Sequence, residues 1–327
     1  MDGVSFLRFH PFLQTKNMEN NRDILKLIYS SDFSFNQQCV YSSVIGIENP
    51  KAVGQGMLFS DTEYISQTYL RNFENTSKLG AILGSGEYMS NFSNIAALYR
   101  QDLKENINNC IYLPKARKCK TSLVHCLKNR ISSRFFQGKE ISLSELSDLL
   151  FYSASSLEPP RITKINNIGV KSYRRTYPSG GGMYSVDIYL AIYNVKGLDK
   201  GIYKYQPISH SLLYIKKIEE LNRFIVTSRY NSQEGKYDEI ENLSPSVFFI
   251  FANNFTRPRI KYGELSLLLG LVDCGCLLQN FSLLTAALSL HFCVWAGYKK
   301  SSVEDILNLD GISNHVIMTA LLGAKSE

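Results

Sequence analysis

The feature that most constrains this chain is an apolar run over residues 265–290, which is long enough to cross a membrane. Asp273, Gln279 and Asn280 would lie near the middle of such a span, where hydrocarbon offers polar side chains no hydrogen-bond partner. A helix buried inside a large soluble protein is also apolar on all sides, and it can direct its few polar groups at a ligand or a subunit boundary. We therefore predict a buried helix and no membrane insertion.

Segments with strand character lie on both sides of this run. Branched aliphatic residues occupy every second position from Val186 to Ile192, which is typical of a strand. Residues 202–205 and 212–215 predict two antiparallel strands, residues 247–252 a compact apolar strand, and residues 293–295 a short one. Antiparallel strands mixed with helices indicate an α+β fold, with a mostly antiparallel central sheet flanked by helices.

Three capping boxes mark helix starts. In each, a serine hydroxyl and the carboxylate of a glutamate three residues later bond to free backbone amides. The serines are Ser60, Ser142 and Ser301. The helix predicted to begin at Ser301 is expected to end at Gly311, because glycine commonly follows the C-terminus of a helix.

The chain of 327 residues exceeds a typical single domain. Pro114 is flanked by lysines and arginines and marks a boundary. Before it we predict a smaller N-terminal α/β accessory region, residues 1–114, that binds a peptide or partner; after it, a main domain of residues 115–327. The formal net charge of +7 is concentrated in a basic run near this boundary. That run is either a solvated surface or a site for anions, and we predict no nucleic-acid partner.

The cysteines indicate a reducing compartment. Seven of them occur at irregular spacing, and the first 14 residues mix charge, proline and aromatic side chains, unlike a signal peptide. We therefore expect reduced thiols in a cytoplasmic protein. His125, Cys126 and Cys119 lie close together, but no paired Cys-x-x-Cys occurs elsewhere to complete a zinc site, so we predict no metal.

Two segments carry chemistry when they are considered together. The arginine segment, residues 130–134, places Arg130, Ser132 and Arg134 at alternate positions, so an extended backbone directs all three to one side, where they can bind a phosphate. The glycine segment, residues 178–182, follows a proline with a serine and three glycines, which allow close backbone approach to a flat ligand. A phosphate and a planar ring together indicate flavin mononucleotide (FMN). Taken alone, the arginine segment is better explained as a pair of surface arginines before a helix, and the glycine segment also fits a flexible loop.

A Lys-Tyr pair is a candidate for proton transfer, because burial can move a lysine or phenol pKa toward neutrality. Two such pairs occur, Lys261-Tyr262 before the long helix and Lys204-Tyr205 inside a predicted strand. Residue chemistry alone does not choose between them. Gln279 and Asn280 in the apolar helix also need partners, which a flavin edge, a neighbouring chain or core backbone would supply.

Residues 125–325 resemble the SagB-type, microcin B17 dehydrogenase-like azoline dehydrogenases of the FMN-dependent nitroreductase superfamily. The resemblance rests on an ordered set of short matches: the Arg-x-Ser-x-Arg-Phe opening at Arg130, Pro-Ser-Gly-Gly at Pro178, Gly-Ile-Tyr-Lys-Tyr at Gly201, Lys-Tyr-Gly-Glu at Lys261, and Gln279-Asn280. A segment at residues 73–78 is also similar to the family's N-terminal part.

The resemblance implies a nitroreductase-like fold and a homodimer with FMN at the subunit boundary. It implies oxidation of thiazolines or oxazolines in a ribosomal precursor peptide to thiazoles or oxazoles, as in bacteriocin biosynthesis, alongside a cyclodehydratase complex and with oxygen as the reoxidant. It favours Lys261-Tyr262 as the catalytic pair. The cofactor-binding residues that it implies are Arg130, Ser132, Arg134, Pro178, Ser179, Gly180, Gly181, Gln279 and Gly297.

Two other functions fit the same residues. One is an NAD(P)H-dependent, nitroreductase-like flavin reductase acting on nitro or quinone compounds. The other is a flavin-free scaffold whose basic run holds an acidic precursor peptide. Flavin bleaching by NADPH without peptide would favour the first, and a colourless protein unaffected by FMN would favour the second.

Overall fold

The computed structural model describes residues 105–134, 136, 138–165, 168–218, 221, 230–231, 236–237 and 244–325, together with Tyr69 and Asn91. The capping box at Ser60, the segment at residues 73–78 and most of the accessory region therefore lie outside the described residues. The boundary at residue 114 stays a prediction.

A seven-stranded, fully antiparallel sheet forms the centre of the described part, with strand order β1-β8-β7-β5-β11-β13-β12. The strands are β1 Cys110–Tyr112, β2 Ile141–Ser142, β3 Ser156–Ile165, β4 Ile168–Arg175, β5 Val186–Ile192, β6 Val195–Lys196, β7 Gly201–Gln206, β8 Ser211–Lys216, β9 Tyr230–Asn231, β10 Lys236–Tyr237, β11 Val247–Asn254, β12 Leu290–Trp295 and β13 Asn314–Ala324. The remaining strands form three separate pairs. The predicted α+β class with a mostly antiparallel sheet is confirmed.

Five helices of the described residues accompany the sheet: α1 Leu123–Asn129, α2 Leu143–Ala154, α3 Thr256–Tyr262, α4 Leu265–Ala287 and α5 Lys300–Ile306. Helix α4 packs against α2 and against the sheet. Its Phe281 ring lies 5.0 Å from the Phe249 ring of β11 and 5.9 Å from the Phe292 ring of β12, measured between centroids. The main core therefore forms between α4 and one face of the sheet.

We predicted a buried helix for this run. Helix α4 is buried along one face only. The buried positions follow helical spacing: Ser266, Gly270, Asp273, Cys274, Leu277, Phe281 and Thr285. On another face, Leu268, Leu271 and Val272 are 42%, 47% and 52% exposed. By length and composition α4 is also the one helix of the described residues that could cross a membrane. One face of α4 packs against the sheet, and another presents an uncovered apolar surface.

Local signals at the other helix starts gave mixed results. The capping box at Ser142 is confirmed, since the Glu145 amide donates to Ser142 Oγ at 3.2 Å and the Ser142 amide to Glu145 Oε2 at 2.8 Å. The capping box at Ser301 is wrong. Helix α5 begins at Lys300 without a side-chain cap and ends at Ile306. The Glu304 carboxylate instead accepts from Lys300 Nζ and from the Val316 amide, which joins α5 to β13.

Candidate functional site

The glycine segment connects β4 to β5 in a tight turn. Gly180–Gly182 form a single 3-10 turn, closed by the Gly182 amide donating to Ser179 O at 3.0 Å. Gly181 and Gly182 have φ angles of +62° and +68°, which favour glycine because a Cβ atom is strained there. The sequence Ser-Gly-Gly-Gly is therefore required by backbone conformation at two positions.

Lys261 and Tyr262, the last two residues of α3, lie against this turn. A Cβ atom built on Gly181 would overlap Tyr262 Oη and lie 3.2 Å from Lys261 Nζ. The Lys261 ammonium also lies 5.1 Å from the centre of the Tyr262 ring. Both side chains are half-buried. The structure thus brings a basic nitrogen and a phenol together beside a glycine turn that is 80 residues distant in the chain.

Asp273 of α4 is bonded to the same turn. Its carboxylate accepts a hydrogen bond from Ser179 Oγ at 2.5 Å and a longer one from the Gly180 amide at 3.4 Å. Ser179 Oγ in turn accepts from the Tyr184 amide at 2.8 Å. Burial raises the pKa of Asp273 to about 6, although these donors and the Arg175 guanidinium favour the charged form.

We expect Gly181→Ala to be more destabilising than Gly182→Ala. Both substitutions place a side chain at a positive φ angle, which costs about 1–2 kcal/mol. Only Gly181 is crowded, since a Cβ on Gly182 would meet no atom within 4 Å. Overlap with Tyr262 is expected to lower the free energy of unfolding by roughly a further 1–3 kcal/mol.

Urea unfolding of the two alanine variants measures this difference. Adding Tyr262→Phe to Gly181→Ala should restore part of the loss, because the overlapping oxygen is removed. Equal unfolding free energies for the two single variants would show that Tyr262 does not lie against Gly181.

The arginine segment lies along the edge strand β12. The Ser133 amide donates to Phe292 O at 3.1 Å, and Ser133 Oγ lies 3.0 Å from His291 Nδ1. Arg130, Ser132 and Arg134 are exposed, and so is Ile131 between them, so the binding of a phosphate by the three residues stays a prediction. Burial raises the pKa of the Cys293 thiol, and the neighbouring Arg134 guanidinium opposes that rise. Neither Arg130 nor Arg134 forms an ion pair with a carboxylate among the described residues.

Gly297 lies just after the end of β12, the strand along which the arginine segment lies. Its carbonyl oxygen accepts from Trp295 Nε1 at 3.2 Å. The structure thus presents two groups of predicted site residues: the glycine segment with Lys261 and Tyr262, and the arginine segment with Gly297. Among the described residues, no hydrogen bond or ion pair joins one group to the other within a single chain.

The rival pair Lys204-Tyr205 is occupied by structural contacts. Lys204 Nζ forms an ion pair with Asp187 Oδ2 at 2.7 Å and lies 5.4 Å from the Tyr189 ring centre. Burial disfavours its charged form, yet Asp187 and Tyr189 outweigh burial and raise the Lys204 pKa. Tyr205 Oη lies 2.8 Å from His210 Nδ1. A lysine held in this way is a poor proton acceptor.

The two amides of α4 differ in their surroundings. Asn280 Nδ2 donates to the carbonyl oxygens of Ser153 and Thr176 at 3.2 and 3.3 Å. Of the partners considered from the sequence, backbone groups of the core are therefore the ones that Asn280 contacts. Gln279 is exposed, and its predicted contact with a flavin ring stays a prediction.

The residues present fit FMN by the chemistry of their donors. Two exposed guanidinium groups and a hydroxyl suit a phosphate, while Gly182 leaves open space beside a turn that also contacts a lysine and a phenol. Sequence reasoning did not assign Asp273 to the site. Its signal was present, as a carboxylate in the middle of an apolar helix.

Comparison with known proteins gives a consistent result. A family model described as the Nitroreductase family matches residues 127–324. The microcin B17-processing protein McbC of Escherichia coli is 26% identical over 229 residues, which cover 68% of this chain and 74% of that protein. A protein named as a nitroreductase from Methanocaldococcus jannaschii is 26% identical over 219 residues, 66% of this chain and 97% of that protein.

Among solved structures, one described as a nitroreductase from Ralstonia eutropha JMP134 covers 67% of this chain and 91% of its own, with 20% identity and a TM-score of 0.51. At this identity the likeness concerns the fold, and it agrees with the antiparallel sheet and flanking helices described above.

Proposed function

This chain belongs to the nitroreductase family, and from that premise we propose that it is an FMN-dependent azoline dehydrogenase. Its substrates would be thiazolines or oxazolines in a ribosomal precursor peptide, which it would oxidise to thiazoles or oxazoles. The observation that carries the proposal is the position of Lys261 and Tyr262 against Gly181 of the glycine segment. The likeness to a microcin B17-processing protein supports the substrate class.

Different residues of this chain would bind the phosphate and the ring of FMN. Arg130, Ser132 and Arg134 would bind the phosphate, because guanidinium and hydroxyl groups donate charge-assisted hydrogen bonds to its oxygens. The glycine segment would lie against the ring, with Gln279 and Gly297 as further contacts. When bound, FMN supplies the acceptor for a hydride from the azoline.

Lys261 and Tyr262 would accept the proton that the azoline loses. Aromatisation of an azoline removes a proton from the former Cα and a hydride from Cβ, leaving a new C=C bond in the ring. A nitrogen and a phenol oxygen held side by side can take that Cα proton and pass it to solvent, since both are half-buried and not sealed from water. A positioned base of this kind contributes roughly 100-fold or more to the rate.

We propose that the active form is a homodimer. Two apolar surfaces of the described part are uncovered in a single chain: Leu268, Leu271 and Val272 on α4, and Leu123, Val124 and Leu127 on α1, the latter 64%, 60% and 53% exposed. The two groups of site residues do not bond to each other within one chain. A second copy that covers the α4 surface would account for both observations if each FMN is held by residues from both chains.

A charge on the α4 surface is expected to disrupt this dimer. Leu271→Glu/Val272→Glu places two carboxylates where the partner would pack, so sedimentation should show a monomer with weakened FMN binding. Ile162→Glu on β3, where the isoleucine is 62% exposed, is the matched control and should stay dimeric. A double variant that remains a dimer with wild-type FMN affinity would contradict the assignment of this surface.

We further propose a cytoplasmic protein that works with a cyclodehydratase complex, which forms the azolines that this enzyme consumes. The support is the likeness to the microcin B17-processing protein, together with exposed basic residues such as Lys118 and Lys120, which suit an acidic peptide or partner.

An NAD(P)H-dependent reductase is the second candidate. It is favoured by the likeness to the Methanocaldococcus jannaschii protein, nearly all of which is covered. A flavin-free scaffold is the third, and it would require a protein that does not bind FMN.

Anaerobic mixing separates the three. Purified protein should show a flavin absorption band that bleaches on addition of an azoline-containing peptide and persists on addition of NADPH. Rapid bleaching by NADPH alone would support the reductase, and a colourless protein that takes up no FMN would support the scaffold.

A further inference from the structure

Asp273 is a buried carboxylate in a helix that is otherwise apolar. It is 4% exposed. Burial raises its pKa to about 6, which means that the charged form is costly at neutral pH. An apolar residue at this position would stabilise helix packing more than a buried carboxylate does. The carboxylate therefore indicates a role other than packing.

The contacts of Asp273 lead to the glycine segment and to no other element by hydrogen bond among the described residues. Ser179 Oγ and the Gly180 amide both donate to it. The ionised carboxylate accepts one of these bonds on each oxygen, whereas protonation turns one of the two oxygens into a donor. Ser179 also accepts from the Tyr184 amide, and Tyr184 has a strained φ angle of +47°.

The same turn also contacts Tyr262. Gly180 contacts two residues one turn apart on α4, since its amide donates to Asp273 and a Cβ built on it would be 3.0 Å from Leu269 Cδ1. Gly181, the next residue, contacts Tyr262 and Lys261. A shift of Gly180 away from Asp273 would therefore move Gly181 relative to the Lys-Tyr pair.

We propose that Asp273 is a positioning residue, whose carboxylate fixes the glycine segment in the conformation that binds the flavin ring and meets Tyr262. This inference rests on the proposed function, since it assumes that the glycine segment contacts FMN.

The charged and titratable groups that face Asp273 come from three places. Arg175 at the end of β4 favours its ionised form, Tyr177 lies in the connection to the glycine segment, and Cys274 is the next residue of α4. Burial raises the pKa of Tyr177 to about 12 and that of Cys274 to about 12, so neither titrates between pH 5 and 8. Asp273 is the group among these whose charge changes in that range.

Two effects of pH are expected, and they have opposite signs. Because the folded-state pKa of Asp273 is raised above its ordinary value of 3.8, protonation stabilises the fold, so the carboxylate's contribution to stability increases as pH falls through 6. FMN binding should weaken over the same range, since protonation turns one of the two Asp273 oxygens that accept from the glycine segment into a donor. A carboxylate with a purely structural role would produce the first effect without the second.

The test compares FMN dissociation constants of wild type and Asp273→Asn between pH 5 and 8, by quenching of flavin fluorescence. Above pH 6 the variant should bind FMN about 10-fold to 100-fold more weakly, which is the usual effect of losing a hydrogen bond to a charged group. The ratio of the two constants should fall about 5-fold to 10-fold between pH 8 and pH 5, because roughly a tenth of the wild-type carboxylate stays ionised at pH 5. Taking the ratio cancels titration of the FMN phosphate, whose second pKa is near 6.

Two further variants complete the design. Ser179→Ala should weaken FMN binding without adding to the effect of Asp273→Asn, since both remove one interaction. Asp148→Asn is the matched control: Asp148 is also buried, but it is bonded to Arg117 and not to the glycine segment, so its FMN ratio should be flat with pH. Urea unfolding should show Asp273→Asn folded at pH 7.

The outcomes are separable. A wild-type protein that binds no FMN overturns the proposed function. A wild-type protein that binds FMN, with a ratio of one at every pH or a ratio that does not change with pH, overturns the positioning role of Asp273 and leaves the proposed function intact.

Discussion

Replacing Lys261 with methionine, or Tyr262 with phenylalanine, is expected to lower the rate of azole formation about 100-fold or more while the protein stays yellow. Both side chains lie against Gly181, so each substitution removes a proton-transferring atom without removing a phosphate contact. Methionine and phenylalanine preserve the apolar part of the side chain. The change should therefore appear in the rate of the chemical step and not in FMN affinity.

The chain supplies its own control in the second Lys-Tyr pair. Lys204→Met removes the ion pair with Asp187, which is about two-thirds buried at both side chains, and Tyr205→Phe removes a bond to His210. These variants are expected to lose some stability and retain azole formation. Full activity of Lys261→Met and Tyr262→Phe, or loss of activity only in the Lys204-Tyr205 variants, would reverse the assignment of the catalytic pair.

The double substitution Arg130→Gln/Arg134→Gln is expected to have the second large effect, a loss of FMN binding. Each charge-assisted hydrogen bond is worth roughly 1.5–3 kcal/mol, so removing both guanidinium groups should raise the FMN dissociation constant by about 100-fold or more. Neither arginine pairs with a carboxylate among the described residues, so the variants leave no unpaired acid behind. The fold should be nearly unaffected because both side chains are exposed.

Riboflavin, which has the same ring and no phosphate, distinguishes a phosphate contact from a ring contact. Its affinity should be similar in wild type and in the double variant. Lys128→Gln, an exposed cation in the last turn of α1, is the matched surface control and should bind FMN normally. If both flavins were weakened equally, the arginines would act on the ring or on the fold instead of on the phosphate.

Much of the central sheet could be predicted because its strands carry local signals. Strands β5, β7, β8 and β11 are rich in β-branched and aromatic residues and are bounded by turns. Strand β13 was not predicted, although it lies between β11 and β12. Its residues are buried on both faces over most of its length, so it shows no alternation, and its identity depends on pairing with strands distant in sequence.

The β3–β4 hairpin was missed for the opposite reason, since its sequence contains evidence against a strand. Pro159 and Pro160 cannot donate ladder hydrogen bonds, and the pairing is irregular between Leu157 and Arg161. The ladder continues on both sides of that irregularity and includes the end of β4, at Arg175. This strand leads directly toward the glycine segment, so the missed hairpin belongs to the support of the candidate site.

The segments of the site could be predicted from the sequence, but their arrangement in space could not. Residue chemistry indicated a phosphate-binding segment, a glycine turn and two Lys-Tyr pairs. It could not indicate that α3 places Lys261 against Gly181, because that contact depends on how α3 and α4 pack beside the sheet. In the sequence, Asp273 indicates that the apolar run does not cross a membrane. Its carboxylate is seen to lie beside Ser179 only in the folded structure.

The most direct test of the account is mass spectrometry of an azoline-containing precursor peptide after incubation in air with the FMN-loaded protein. We expect each ring to lose the mass of two hydrogen atoms in a reaction that requires FMN and needs no NAD(P)H. A peptide whose mass is unchanged after incubation with protein that binds FMN, while NADPH reduces that flavin, would contradict it.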